Sequence, residues 1–225
     1  MSSTLLALSV AIVVGGYLLG SVPFGLLVAK RQGGIDLRSY GSGSTGATNV
    51  YRAVGWKAST VVIAADVLKA IIPILVARYA IGSFAGQSEA GLVPVVESAA
   101  GLAAIAGHCW PIYTGGTGGK GAASSLGAMM VINTPIGTGC LLIAALTVAR
   151  TRFVSLGSIS AAVFGLVGMV YLLVTGQIQP GYVLFTAVCP VIVFIRHWDN
   201  IGRLLAGRER KLGDAVNNSP KRMTS

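Results

Sequence analysis

Seven apolar stretches take up most of this chain, at about residues 4–29, 57–80, 92–108, 120–133, 135–150, 154–175 and 180–196. A helix needs ~20 apolar residues to cross the hydrocarbon core of a bilayer. The fourth and fifth stretches are short and are separated by Asn133-Thr134-Pro135, so a re-entrant pair is an alternative for them. With 53% of its 225 residues hydrophobic and only 11% charged, a soluble domain of this length could not cover its own surface with polar groups. The 31 glycines agree with a membrane setting, where small residues let helices approach closely. The pattern predicts an all-α fold, a polytopic transmembrane helix bundle of about seven spans.

Charge orients the bundle. The net charge is +10, and the bases collect at the ends of apolar stretches. Lys30, Arg31, Arg38, Arg52 and Lys57 lie in or beside the first connection, Lys120 ends the third, and Arg150 and Arg152 lie in the fifth. Arg196, Arg203, Arg208, Arg210, Lys211, Lys221 and Arg222 lie at or beyond the end of the last stretch, and only Arg78 falls on the other side. Since positive residues stay in the cytoplasm, the N-terminus is expected outside and the C-terminus in the cytoplasm. Residues 1–213 read as a single transmembrane domain and 214–225 as a polar, disordered cytoplasmic tail. The first stretch lacks a basic segment before it and is too long for a cleaved signal peptide, so it reads as a retained span. No basic run is interleaved with aromatics, which argues against nucleic acid as a partner. Cys109, Cys140 and Cys189 have no paired spacing and read as small packing residues, with neither disulfide nor metal implied.

Three polar segments fall on the expected cytoplasmic side. The first runs from Gly41 through Ser42, Gly43, Thr48 and Asn49 to Arg52. Successive backbone N–H groups in a glycine-rich turn form a concave anion site. If a helix opens at Thr48, then Thr48, Asn49 and Arg52 face one anion with the helix N-terminus behind it. A flexible loop of small residues is the plain alternative.

The second segment is Gly107-His108-Cys109-Trp110-Pro111, followed by Gly115-Gly116-Thr117-Gly118-Gly119-Lys120-Gly121. It fails the nucleotide-binding P-loop pattern, which requires Gly at 114 and Ser or Thr at 121. What survives is a set of amides and one lysine at a helix start, suited to phosphate; a topology anchor is the other reading of Lys120. His108 sits at a helix end and can equally cap it or react.

The third segment is split between Arg152 to Leu156, with Ser155, and Arg196 to Arg203, with His197 and Asn200 three residues apart on one helical face. Arg196 and Arg203 can also serve as anchors, and His197 as an interfacial residue. Within the apolar stretches, Asp66 and Lys69 are spaced for an i,i+3 salt bridge that packs the bundle, whereas Glu97 has no partner in sequence.

Together these motifs resemble, in order from about residue 20 to 205, the signatures of the bacterial acyl-phosphate:glycerol-3-phosphate acyltransferases. Gly41 to Arg52 is similar to GSGNxGATNxxR, Asp66 to Lys69 to DVLKG, Gly107 to Gly121 to GHxxP…KGGKG, and Ser155-Leu156-Gly157 and His197 to Leu204 to the later SLG and H-x-x-N-I-x-R-L motifs. Ser44 stands in place of Asn, Thr45 where Pro is common, Ala70 in place of Gly, and Thr114, Gly116 and Thr117 in place of two aromatics and the first lysine of KGGKG.

The resemblance implies transfer of an acyl chain from acyl phosphate to glycerol-3-phosphate, giving lysophosphatidic acid and phosphate, the first acylation of phospholipid synthesis, with no cofactor. It implies that Ser42, Gly43, Thr48, Asn49, Gly118 and Gly119, with Arg52 and Lys120, hold the donor phosphate, and that Ser155, His197 and Asn200 orient glycerol-3-phosphate. Arg52 and Lys120 would offset charge on the departing phosphate. No Ser-His-Asp or HxxxxD pattern occurs, with Tyr113 standing where His108 would need an acid. A covalent acyl-enzyme is therefore not expected. A substrate phosphate oxygen is expected to take the hydroxyl proton, with His197 the protein alternative. Rival readings are a transporter, whose polar site normally lies near the midplane on broken helices, and a structural membrane protein, which needs no polar segments gathered on one side.

Overall fold

The computed structural model describes residues 2–86 and 89–214. The tail beyond 214 lies outside the described residues, where all regular structure is helical: α1 Ser3–Gly20, α2 Phe24–Gly33, α3 Ala47–Val54, α4 Trp56–Phe84, α5 Leu92–Cys109, α6 Ala122–Ile132, α7 Thr134–Thr151, α8 Val154–Val174, α9 Val183–Arg196 and α10 Trp198–Leu205.

Five segments are long and apolar enough to cross a membrane, and up to six if α9 and α10, bent by 59°, form one span. This differs from the expected seven because α6 has 11 residues and extends only ~16 Å at 1.5 Å per residue. Of the expected 120–133 stretch, Lys120 and Gly121 belong to the glycine-rich loop and Asn133 to the next helix's cap. Asn133 then caps α7 by accepting from the Ile136 N–H at 3.0 Å.

The expected first span at 4–29 appears as one candidate span, Ser3–Gly33, whose helix is interrupted at residues 21–23. The Ser21 hydroxyl donates to the Tyr17 carbonyl at 2.8 Å, and Pro23 disfavours a helical conformation at Val22, so α2 starts afresh at Phe24. α2 and α3 then pack on α4, and the 3₁₀ turn Leu37–Ser39 packs on α2 and α3, with Leu37 in one buried cluster with Ala58 and Val62 of α4.

α5 is the most buried of these segments and packs on α1, α4 and α9. Its contact with α1 depends on missing side chains: a Cβ on Gly20 would lie 2.2 Å from the Ala104 carbonyl oxygen, and one on Gly107 would lie 2.3 Å from that of Tyr17. Van der Waals contact of this kind holds membrane helices together, since lipid competes for apolar faces. The outer faces are apolar at helical spacing, with Leu68, Ile72 and Val76 exposed on α4 and Val163, Val167 and Val170 exposed on α8.

The buried charges find partners. Lys69 Nζ lies 2.8 Å from Asp66 Oδ1, as the spacing predicted, and also donates to the Val22 carbonyl in the α1–α2 break at 3.3 Å. Glu97, solitary in sequence, receives Arg78 Nε and Nη2 at 2.9 Å each and the Tyr182 hydroxyl at 2.8 Å. Arg78, half-buried, thus joins α4 to the buried Glu97 of α5 and to Tyr182 at the start of α9, and is not a stray surface base.

Candidate active site

Asn49 builds the first glycine-rich loop. Its Nδ2 donates to the carbonyls of Tyr40 and Ser44 at 2.9 Å and of Leu37 at 3.3 Å, and its Oδ1 accepts the Ser42 N–H at 3.3 Å. With its amide engaged at both ends, Asn49 shapes the loop more than it offers free donors. Gly41, at φ 58°, has no room for a side chain, since a Cβ would lie 2.3 Å from Asn49 Oδ1. The turn delivers Ser42 to a cavity and starts α3 at Ala47, one residue before Thr48 and one turn before Arg52.

The second loop docks on the first and on α5. Gly119 N–H donates to the His108 carbonyl at 2.9 Å, and Thr45 N–H reaches the Gly118 carbonyl at 3.4 Å. Arg196 donates from Nε to the Gly119 carbonyl at 3.0 Å while its guanidinium stacks 5.4 Å from the Trp110 ring centroid. Gly118 and Gly119 are needed for this closeness: a Cβ on Gly118 would lie 2.3 Å from the His108 carbonyl oxygen, and one on Gly119 would lie 1.9 Å from His108 Nε2. The loop ends in Lys120, and Gly121, at φ 79°, opens α6.

These elements enclose a cavity of about 540 Å³, with Ser42, Thr48, Asn49, Arg52, Lys120, Ser155, His197 and Asn200 on its walls. Eight of the eleven residues singled out in the sequence therefore converge. The other three, Gly43, Gly118 and Gly119, lie outside the lining and act in the loops behind it. Lys120 and Asn200 meet among these polar groups, and the rest of the wall is largely made of apolar side chains of α6, α7, α8 and α9, with Ser125, Ser158 and Thr186 among them.

Lys120 Nζ donates to Asn200 Oδ1. Burial, with help from neighbouring Arg203, Arg52 and Arg196, pushes the Lys120 ammonium down to about 8. Burial and nearby Arg210 likewise lower Arg52, which stays charged as guanidinium does. Arg52 Nε is buried without a hydrogen-bond partner among the described residues, a donor left for an anion. His197 terminates α9, and its Nδ1 lies 2.8 Å from the Val193 carbonyl. A carbonyl only accepts, so Nδ1 carries the proton and Nε2 of the neutral ring is a free acceptor.

Three site features escaped the sequence reading. Glu209 folds back beneath the mouth, where its carboxylate accepts from Ser155 Oγ at 2.8 Å, Asn200 Nδ2 at 2.6 Å and Arg203 Nε at 2.7 Å. Burial alone would raise this carboxyl, but those three donors outweigh it and hold it below the usual range. The signal available was a lone acid among Arg203, Arg208, Arg210 and Lys211. Arg152, left-handed at φ 63°, grips the returning chain through the Leu212 carbonyl at 2.7 Å. His108 has an acid after all: Asp66, from another helix, at 3.3 Å from Nδ1.

A family model described as glycerol-3-phosphate acyltransferase matches residues 10–207. The chain belongs to the glycerol-3-phosphate acyltransferase family. Among relatives bearing that name, one from Synechococcus sp. (strain CC9902) is 43% identical over 199 residues, covering 88% of this chain and 92% of the relative. Glycerol-3-phosphate acyltransferase 3 of Dehalococcoides mccartyi (strain CBDB1) is 39% identical over 217 residues, covering 93% and 98%. The crystal structure of PlsY (YgiH), an integral membrane glycerol 3-phosphate acyltransferase, in its glycerol 3-phosphate form superposes with a TM-score of 0.79 at 36% identity, over 91% of this chain and 96% of that one. Its lysophosphatidic acid form gives 0.76 over 90% and 94%. As a member of this glycerol-3-phosphate acyltransferase family, the chain is a membrane-integral acyltransferase, and its converging polar motifs are read below on that basis.

Proposed function

We propose that the protein transfers the acyl group of an acyl phosphate to glycerol-3-phosphate, yielding lysophosphatidic acid and inorganic phosphate. The observation that carries this reading is one cavity whose wall sets Arg52, Lys120 and hydroxyl groups beside a largely apolar lining. An acyl phosphate combines the same two chemistries.

In this reading Arg52 and Lys120, with Ser42 and Thr48 beside them, hold the donor phosphate, and Ser155, His197 and Asn200 orient glycerol-3-phosphate. A glycerol hydroxyl attacks the acyl carbonyl carbon, the new C–O ester bond forms, and the C–O bond to phosphate breaks with its electron pair leaving on phosphate. Arg52 and Lys120 face the charge that builds there. The hydroxyl proton passes to a phosphate oxygen, whose second pKa of about 6 suits it, with His197 Nε2 as the protein group available for the same task. Rate enhancement rests chiefly on positioning and fixed charge.

The mouth shares its end of the bundle with the basic connections, which supports a cytoplasm-facing site, an outward N-terminus and a cytoplasmic C-terminus. Residues 1–213 then act as one catalytic unit.

The test is to incubate the purified protein in lipid with glycerol-3-phosphate and either acyl phosphate or acyl-CoA, and to measure phosphate and lysophosphatidic acid. Equal release of both products from acyl phosphate alone, lost in Lys120→Ala, is expected. Turnover with acyl-CoA alone would overturn the donor assignment, and turnover with neither donor would overturn the reaction.

A further inference from the structure

We infer that Arg210, on the segment that returns from α10 to the cavity, is a substrate-binding residue that holds the donor phosphate together with Arg52. The inference rests on the cavity receiving a phosphate-bearing donor, as proposed above.

Past α10 the chain turns back, with the Arg208 N–H donating to the Arg203 carbonyl at 2.8 Å. It is then fixed on both sides of position 210. Before it, Glu209 accepts from Ser155, Asn200 and Arg203. After it, Leu212 is tied twice to Arg152: its N–H donates to the Arg152 carbonyl at 2.7 Å, and its own carbonyl accepts from Arg152 Nη2 at 2.7 Å. Glu209, Arg210 and Leu212 all line the cavity, so the returning segment forms part of its wall.

Arg208, Arg210 and Lys211 stand close together in the sequence, and the plain reading of all three is that they hold the chain at the cytoplasmic face. The structure separates them. Of the three, Arg210 alone lines the cavity, whereas Lys211 lies 5.7 Å from the Phe153 ring centroid. The Arg210 guanidinium makes no ion pair among the described residues. Among the charges around Arg52, that of Arg210 bears on it most, and Arg52 Nε is buried without a hydrogen-bond partner among the described residues. Two like charges that share a cavity wall repel each other, and an anion between them relieves the repulsion. Guanidinium suits that anion to phosphate, since its paired N–H groups match two phosphate oxygens. The second glycine-rich loop offers a single cation, Lys120, so the returning segment supplies a charge that the loop does not.

The experiment measures binding of radiolabelled inorganic phosphate to the purified protein in detergent, and KM for palmitoyl phosphate and for glycerol-3-phosphate in lipid nanodiscs. The proteins are the parent, Arg210→Gln, Arg210→Lys and Arg208→Gln. Arg210→Gln is expected to raise the phosphate Kd and the donor KM roughly tenfold, the low end for a hydrogen bond to a charged group because Arg210 is exposed to water, with KM for glycerol-3-phosphate little changed. Arg210→Lys should recover part of the loss, because lysine keeps the charge but not the planar fork. Arg208→Gln removes the same charge away from the wall and should change neither value. Equal losses in Arg208→Gln and Arg210→Gln would overturn the inference by assigning the effect to net charge. An unmoved phosphate Kd in Arg210→Gln, or a rise in the glycerol-3-phosphate KM alone, would overturn it as well. Turnover with acyl-CoA and not with acyl phosphate would refute the donor reading, and the phosphate Kd would still decide the role of Arg210.

Discussion

Asp66 and His108, 42 positions apart in the sequence, meet with 3.3 Å between Oδ1 and Nδ1. The same carboxylate oxygen lies 2.8 Å from Lys69 Nζ. The other ring nitrogen of His108 rests against the Cα of Gly119, immediately before Lys120. Through this chain of contacts a buried ion pair in α4 supports the loop that presents the ammonium group to the cavity.

Removing one member of a buried, hydrogen-bonded charge group leaves the others without compensation, which typically costs about 3–5 kcal/mol. Asp66→Ala is therefore expected to lower the unfolding temperature sharply in detergent, because Lys69 is stranded in the bundle. The double variant Asp66→Ala with Lys69→Met should recover much of the loss. An Asp66→Ala protein as heat-resistant as its parent would show that the pair does not support the bundle.

Gly119→Ala places a methyl group where His108 Nε2 already lies, at 1.9 Å. The loop or the imidazole must move, and displacement of a positioned group by about 1 Å is worth roughly 100-fold in rate. Activity should fall on that scale, and His108→Ala should partly rescue Gly119→Ala by emptying the space. Contacting residues are expected to be non-additive in this way. Additive losses in the double variant would refute the steric account.

The apolar stretches and the motif spacing made the helical membrane class and eight residues of the cavity wall legible, because helical hydrophobicity and short glycine-rich turns are local properties. The break at Ser21 to Pro23 was legible in principle, since Pro23 interrupts an otherwise unbroken stretch. The length of α6 was not, because Ala122 to Ile132 is apolar throughout and only the docking of the preceding loop on His108 fixes where the helix starts. The partners of Glu97, His108 and Asn200 come from other helices or from the returning chain, and no spacing rule reaches across those separations. Gly118 and Gly119 are expected, on the family resemblance, to help hold the donor phosphate; that they also let the loop lie against α5 depends on backbone approach that sequence does not display.

Lys120 sets a pH limb. Its pKa is lowered from 10.5 to about 8, so the ammonium form is complete well below pH 8 and is lost as pH rises through it. Because kcat/KM reports the free enzyme, its value for the anionic donor should decline above about pH 8. The limb in kcat should lie higher, since a bound phosphate favours the charged amine. In Lys120→Arg the limb should leave the accessible range, as guanidinium does not titrate there. An unchanged limb in that variant would assign the ionisation to another group.

Glu209 ties the returning chain to the groups proposed for glycerol-3-phosphate. It fixes Ser155 and Asn200 from one oxygen and Arg203 from the other, and Asn200 in turn receives Lys120. Its pKa is lowered on folding, so its stabilising contribution is present above the ordinary carboxyl range near 4.5 and is lost as pH falls through the folded value. Glu209→Ala should lower the unfolding temperature at pH 7 and much less at acid pH. Glu209→Gln preserves the shape and one acceptor oxygen while removing the charge facing Arg203. It should remain folded and raise KM for glycerol-3-phosphate by roughly tenfold, in line with the loss of a hydrogen bond to a charged group, while KM for the acyl donor changes little. A rise in the donor KM alone would place Glu209 in the wrong half of the site.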